Sequence, residues 1–204
     1  GLGFLLGRRV DANRSPGEVA VTGEPARLLA DAEAKSLDVQ GIEPLVSRRF
    51  YQVDINSVDP TVAPEEWSLR VTGAVDEERT FDYADVTARE TYEEFVTLRC
   101  VGEKLNGTKM DNALWTVTDI MPFVEEAGLP DGPCCVMLRA ADGFYEEFPL
   151  EALRDGLLAY RMNGRPLPRG HGAPVRALIP GHWGEINVKW LTEIEILEQE
   201  VDGY

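Results

Sequence analysis

Between Trp67 and Leu197 the chain is a succession of short apolar runs, each stopped by glycine, proline or an Asx-Gly pair. Such punctuation leaves little room for long helices and favours a strand-rich fold. The central run is Phe95-Val-Thr-Leu-Arg-Cys-Val-Gly102. Strand alternation puts Val96, Leu98 and Cys100 on one face and Phe95, Thr97 and Arg99 on the other. A thiol at the end of such a strand, where the backbone turns at Gly102, can serve as a metal ligand, a nucleophile or a small buried hydrophobe.

The neighbouring runs follow the same logic. Trp67, Leu69 and Val71 alternate with polar residues up to Gly73, a half-buried strand. Phe81 to Val86 reads as one helical turn, and Glu103 to Asn112 as a polar loop with a turn at Asn106-Gly107. Thr118 is placed to cap a helix whose apolar face is Ile120, Phe123, Val124 and Ala127. Strands are expected from Cys134 to Ala140, from Leu157 to Met162 with an Asn163-Gly164 hairpin turn, from Val175 to Pro180, and from Val188 to Leu197 with Trp190, Thr192, Ile194 and Ile196 on one face. A short helix is expected around Leu150 to Arg154. Many strands with few, short helices predict a mixed α+β domain rather than a βαβ array. Glycine-rich phosphate loops of the GxGxxG or GxxxxGK[ST] type are absent from the sequence.

The compact domain is expected over residues 41–204, preceded by an N-terminal segment, 1–40. In that segment Gly1-Leu-Gly-Phe-Leu-Leu-Gly7 ends on Arg8-Arg9, the way a membrane helix commonly meets the interface. Seven residues cannot cross a bilayer, so the run reads either as the end of a transmembrane segment or as a surface turn. A polar linker from Asp11 to Gly23 and a peripheral helix from Glu24 to Lys35 follow.

The formal net charge of -16 disfavours nucleic acid as a partner, because a polyanion would be repelled. Lysine is confined to positions 35, 104, 109 and 189, and an acidic, lysine-poor surface matches adaptation to high salt, so a halophilic origin is expected. Cys100, Cys134 and Cys135 are an odd set with no CxxC or Cys/His cluster, which argues against a structural zinc site and a disulfide framework. Adjacent cysteines rarely bond to each other, so packing is the expected role of Cys134 and Cys135.

Three cationic stretches stand out against this acidic background. Arg48 and Arg49 lie beside Phe50 and Tyr51, a pairing suited to a phosphate and a flat heterocycle. In Arg169-Gly-His-Gly-Ala-Pro-Val-Arg176, His171 stands between glycines that permit close approach. Pro180 to Lys189 delivers a lysine at the start of a core strand. Solvated arginines and a water-exposed turn histidine would explain each stretch singly. Together they suggest a pocket for a polyanionic ligand, beside which the soft thiolate of Cys100 would suit a metal.

Arg48-Arg-Phe-Tyr51, Thr97 to Gly102, Ala141-Asp-Gly-Phe144, Leu158 to Leu167, His171 to Arg176 and Val188-Lys-Trp-Leu191 resemble, in order, the motifs of sulfite-oxidase-type molybdopterin enzymes. The resemblance implies molybdenum-molybdopterin as cofactor and Cys100 as the protein ligand to the metal. By position it implies that Arg49, Phe50 and Tyr51 line the pterin and that Asp142 faces its ring system. It likewise implies that His171, Arg176 and Lys189 hold its phosphate end, with backbone groups of Asn187 and Val188 nearby. The activity implied is oxygen-atom transfer on a small-molecule or protein-bound oxo substrate, with electrons exchanged with a membrane electron-transfer partner.

Two departures bear on substrate. Ile186-Asn187 stand where sulfite oxidases have Arg-Ser, and Cys100-Val-Gly-Glu-Lys-Leu105 replaces a Cys-x-Gly-Asn-Arg-Arg run. The pattern looks closer to the bacterial protein-methionine-sulfoxide reductase branch, so an S-oxide or N-oxide is expected ahead of sulfite. A non-catalytic membrane-protein accessory module that has lost the cofactor is the reading from a different class. The expected state is a monomeric soluble domain associated with a membrane. Its side is left open between cell surface and cytoplasmic face, because Arg8-Arg9 favours the inside and the sulfoxide reductases work outside.

Overall fold

A computed structural model describes residues 20–37, 39, 44–104, 107–201 and 203. The run Gly1 to Gly7, Arg8-Arg9, most of the linker, the proposed boundary at Gly41 and Asn106 lie outside the described residues. Among the described residues no helix is long and apolar enough to cross a membrane.

The fold is built on two sheets. The first has the strand order β2-β1-β10-β5-β6, with β1 Ser68–Gly73, β2 Arg79–Asp82, β5 Cys135–Ala140, β6 Tyr145–Pro149 and β10 Leu191–Leu197. Its one parallel pairing joins β1 to β10, far apart in sequence, with Val71 opposite Ile194. The second sheet is antiparallel, with the order β3-β4-β7-β8 and β9 also pairing with β7. Its strands are β3 Tyr92–Arg99, β4 Met110–Asp119, β7 Leu157–Met162, β8 Arg165–Pro166 and β9 Arg176–Leu178. Among the described residues, four α-helices, α1 Gly23–Lys35, α2 Tyr83–Thr87, α3 Met121–Glu126 and α4 Leu150–Leu153, lie around them. This is the strand-rich α+β architecture that the punctuation of the sequence predicts.

The core has two compartments. Leu69, Val71, Val136, Leu138, Ile194 and Ile196 of the first sheet meet Phe123 and Val124 of α3 and Leu158 and Ala177 of the second sheet. The opposite face of the second sheet buries Val96, Leu98, Trp115, Val117, Ala159 and Leu178, with Phe50 and Tyr51 packed against them. A fully buried side chain of this size stabilises by roughly 1.5–3 kcal/mol. The alternation expected in β3 is present: Val96 and Leu98 are buried while Phe95 and Thr97 face out. That alternation brings Cys100, one residue past the strand, toward the second compartment.

Several expectations are corrected by the fold. Met110–Asp119 is a strand rather than a loop end and helix start, because Ala113 to Thr118 are buried on both faces and so show no alternation. Thr118 therefore lies inside β4, 3% exposed, and α3 has no side-chain cap. Phe81 belongs to β2, and Asp82 and Asp85 form the capping box of α2. The last strand begins only at Leu191, because Trp190 has φ 48° and breaks the extended run. Cys134 and Cys135 are bonded to each other as a disulfide rather than serving as packing thiols. The Asn163-Gly164 turn is as read, with positive φ at both residues, as a two-residue hairpin loop of this kind requires.

Candidate active site

One cavity of about 250 Å³ opens where β3 ends, where the β5–β6 turn begins, and where the chain passes from His171 through Arg176 and back before β10. Of the sequence-selected residues, Phe50, Tyr51, Cys100, Asp142, His171, Arg176, Asn187, Val188 and Lys189 all line it. Arg49 does not, and like Arg48 it is exposed. Residues 135 positions apart thus share one cavity, Lys189 with Asp54 for example.

Cys100 is the free cysteine among the described residues and is partly buried. Its N–H donates to the Lys109 carbonyl (3.0 Å) and its carbonyl accepts from the Glu103 N–H (3.0 Å). The turn after β3 therefore fixes the backbone from which the thiol projects. Beside it, the Tyr51 N–H donates to Asp111 Oδ2 (2.6 Å), and Asp111 is itself buried in β4. Burial pushes the Tyr51 phenol up to about 12, so it remains a protonated donor at neutral pH. Gly184 makes room for it, since a Cβ at that position would stand 2.5 Å from Tyr51 Oη. Phe50 presents its edge to His171, with ring centroids 5.5 Å apart, and to Trp115 at 5.6 Å.

The cationic end is built by the loop that ends in β9. A 3-10 turn, Arg169–His171, closes on Gly172, whose φ of 105° suits glycine. A Cβ on Gly172 would come within 3.0 Å of Lys189 Cα and Arg176 Cβ, so the bare backbone is what brings His171, Arg176 and Lys189 together. Arg176 is 4% exposed. It donates from Nη1 to the His171 carbonyl (3.1 Å) and from Nη2 to the Asn187 carbonyl (2.8 Å), and its guanidinium lies 5.3 Å from the Trp115 ring centroid. Its hydrogen bonds among the described residues all go to carbonyls, and none goes to a carboxylate. Burial pulls its pKa down to about 10, which leaves it charged at neutral pH.

Lys189 is held differently. Its ammonium bonds Asp54 and the Gly170 carbonyl (3.2 Å) and lies 4.5 Å from the Trp190 ring centroid. Burial lowers its pKa while Asp54 raises it. Both polar side-chain atoms of Asn187 are engaged in the fold: Oδ1 accepts from the Ile179 N–H (2.7 Å) and Nδ2 donates to the Trp183 carbonyl (2.7 Å). Asp142 accepts from the Phe144 N–H (3.0 Å) and ties its carbonyl to Asn56 (2.8 Å). Asp54, Gln52, Gly184 and Glu185 were not singled out in the sequence, because a lone acid or amide in a polar segment carries no local signal.

Desolvation, then the charges of Arg176 and Lys189, push the His171 imidazole from 6.5 down to about 4. The folded protein therefore holds it neutral while the unfolded chain protonates near 6.5. A depressed histidine contributes stability that is complete above pH 6.5 and is lost as pH falls toward the folded value. For the cofactor-free chain, urea unfolding between pH 6 and pH 5, inside the window from 6.5 down to the folded value, should show stability falling with a slope approaching about 1.4 kcal/mol per pH unit from this one proton. His171→Gln should remove that slope; an unchanged slope would show that another group carries it.

A buried guanidinium without a carboxylate, a neutral histidine, a lysine and one free thiol, gathered on a strand-rich α+β frame, define a domain that binds a large anionic group. The chain belongs to the oxidoreductase molybdopterin-binding domain family, whose model matches residues 56–204. It is 30% identical over 141 residues to the uncharacterized oxidoreductase YuiH of Bacillus subtilis, covering 68% of this chain and 69% of that one. It is 27% identical over 214 residues to mitochondrial sulfite oxidase of Drosophila melanogaster, covering 89% of this chain and 37% of the fly protein. Nitrate reductase [NADH] 1 of Arabidopsis thaliana is 27% identical over 169 residues, of which this chain spans 18%. Against sulfite oxidase and nitrate reductase, then, the chain corresponds to a minor part of the relative's length. The sulfane dehydrogenase SoxCD from Paracoccus pantotrophus shares the fold, with a TM-score of 0.66 at 19% identity over 98% of this chain and 61% of that one. Membership makes this a molybdopterin oxidoreductase domain and implies the molybdenum cofactor. The cavity fits such a group by its donor set, since Arg176 offers an anion a buried charge to which no carboxylate among the described residues is hydrogen-bonded, and the thiol of Cys100 is a soft donor.

Proposed function

We propose that this domain performs oxygen-atom transfer on an S-oxide, N-oxide or related oxo substrate, with Cys100 as the protein ligand to molybdenum. The observation that carries the reading is the presence of the free thiol and the carboxylate-free Arg176 in one cavity. The cofactor would supply the two-electron oxygen chemistry. His171, Arg176 and Lys189 would hold its phosphate end, Phe50, Tyr51 and Asp142 would flank the pterin, and Asn187 and Val188 would contribute backbone. Asn187, with its amide committed, keeps the carbonyl that orients Arg176 in place. The Tyr51 phenol, protonated and beside Cys100, is placed to donate a hydrogen bond to a substrate oxygen. Arg49, being exposed, is left outside the cofactor set.

Two features favour an organic oxide over sulfite. Glu185 lines the cavity, and the exposed Val53, Ile55 and Val101 stand at its rim. An acidic and apolar wall repels a small dianion and accommodates a neutral oxide carrying an apolar body. The likeness of Phe50-Tyr51 and Asp59-Pro60 to the protein-methionine-sulfoxide reductase branch points the same way. Membrane association through the Gly1 to Arg9 segment, a separate electron carrier and a salt-adapted surface complete the proposal. Protein made in a molybdopterin-competent host should carry about one molybdenum per chain and reduce a methyl sulfoxide with a reduced dye. Molybdenum-free protein would favour the accessory-module reading, and sulfite-dependent dye reduction would favour sulfite oxidation.

A further inference from the structure

The Cys134–Cys135 disulfide belongs to neither the cavity nor its supports. It sits at the start of β5, whereas the cavity lies past the other end, where the Ala141 N–H bonds the Trp190 carbonyl and Asp142 joins the lining. Six strand residues separate the two ends, roughly 20 Å of extended chain. Neighbouring residues within a strand point to opposite faces, so two adjacent cysteines can bond only where the strand has not yet begun. Cys134 meets that condition, because β5 starts at Cys135.

The surroundings hold the backbone on both sides of the bond. The Cys134 N–H donates to the Leu197 carbonyl (3.1 Å), and its carbonyl accepts from the Leu150 N–H (2.8 Å). Cys135 lies opposite Leu197 on one side and Pro149 on the other and is 2% exposed, while Cys134 is exposed to solvent. A cross-link between adjacent residues closes almost no chain, so it removes little entropy from the unfolded state and adds little stability. The backbone bonds, not the sulfur bridge, keep this corner in place. A disulfide with one solvent-exposed cysteine and little structural load has the properties of a redox-active pair.

We propose that Cys134 and Cys135 form a reversible thiol–disulfide exchange site that takes a dithiol reductant, separate from the molybdenum site. The reductant's thiolate attacks Sγ of Cys134, the exposed residue of the pair, the sulfur–sulfur bond breaks, and Cys135 leaves as a thiolate that takes up a proton. The reductant's second thiol then displaces Cys134 from the mixed disulfide. Two electrons and two protons pass to the pair, and the reductant departs as its own disulfide.

The test is maleimide labelling of the folded, purified chain followed by tryptic mass analysis. Cys100 falls in the peptide Cys100–Lys104 and the pair in Met110–Arg139, so the two sites are scored separately. Without reductant the second peptide should carry no label; after dithiothreitol under native conditions it should carry label on the exposed Cys134, and on both cysteines when unfolded before labelling. Cys135→Ser should expose a lone Cys134 that labels without reductant. Reduction should move the melting midpoint by only a few degrees. Label on Met110–Arg139 before reduction, none after native reduction, or a melting shift above about 10 °C, marking a structural cross-link, would each overturn the proposal.

Discussion

Replacing the Cys100 thiol by a hydroxyl is expected to abolish turnover while leaving the fold intact. Cys100→Ser is nearly isosteric, and the bonds that set the turn, to the Lys109 carbonyl and from the Glu103 N–H, use backbone atoms only. A serine hydroxyl is a hard and weakly acidic ligand, so it cannot replace a thiolate toward a soft or high-valent metal. A loss of about 10³-fold in turnover is expected, roughly 4 kcal/mol of barrier. Circular dichroism and the urea midpoint should stay close to those of the parent. Molybdenum analysis beside the rate makes the result decisive, because undiminished molybdenum together with undiminished activity would sink the assignment of Cys100. Loss of stability alongside activity would instead return Cys100 to the role of packing thiol.

How much of this was legible in the sequence depended on whether one face of an element meets water. β3 could be read because Phe95 and Thr97 are exposed while Val96 and Leu98 are buried. β4, the next strand, is buried on both faces from Ala113 to Thr118, and with its alternation gone Thr118 looked like a helix cap. The end of the chain misled for a geometric reason: Trp190 has positive φ, so the apolar period from Val188 is interrupted before β10 begins. The cavity's cations stood out because arginine, histidine and lysine between glycines are unusual in an acidic chain. Their counterpart Asp54 was invisible, since one aspartate among 36 acidic residues carries no mark until Lys189 is seen to bond it. Arg49, equally conspicuous in the sequence, is exposed and does not line the cavity. The Cys134–Cys135 bond depends on where β5 starts, to within one residue, a limit that no periodicity resolves.

The second large effect is expected at Arg176. Lys189 already has a carboxylate in Asp54, so an incoming anion gains from Lys189 only what exceeds that bond. Among the described residues Arg176 hydrogen-bonds carbonyls alone, and burial lowers its pKa to about 10, with the Asp54 charge offsetting only part of that, so it stays charged without a carboxylate bonded to it. Most of the anion affinity should therefore rest on Arg176. Arg176→Lys keeps the charge and part of the bonding to the His171 and Asn187 carbonyls, which limits damage to the fold, but loses the planar fork. Losing charge-assisted bonds of this kind costs about 2–3 kcal/mol, roughly a 10²-fold drop in cofactor affinity. Molybdenum per chain after extended dialysis should fall far below that of the parent, while the cofactor-free proteins unfold at similar urea concentrations. Full retention of molybdenum by Arg176→Lys would show that the anion sits elsewhere. A parallel loss in Lys189→Met and not in Arg176→Lys would place it at the Lys189–Asp54 pair, reversing the order that burial and pairing dictate.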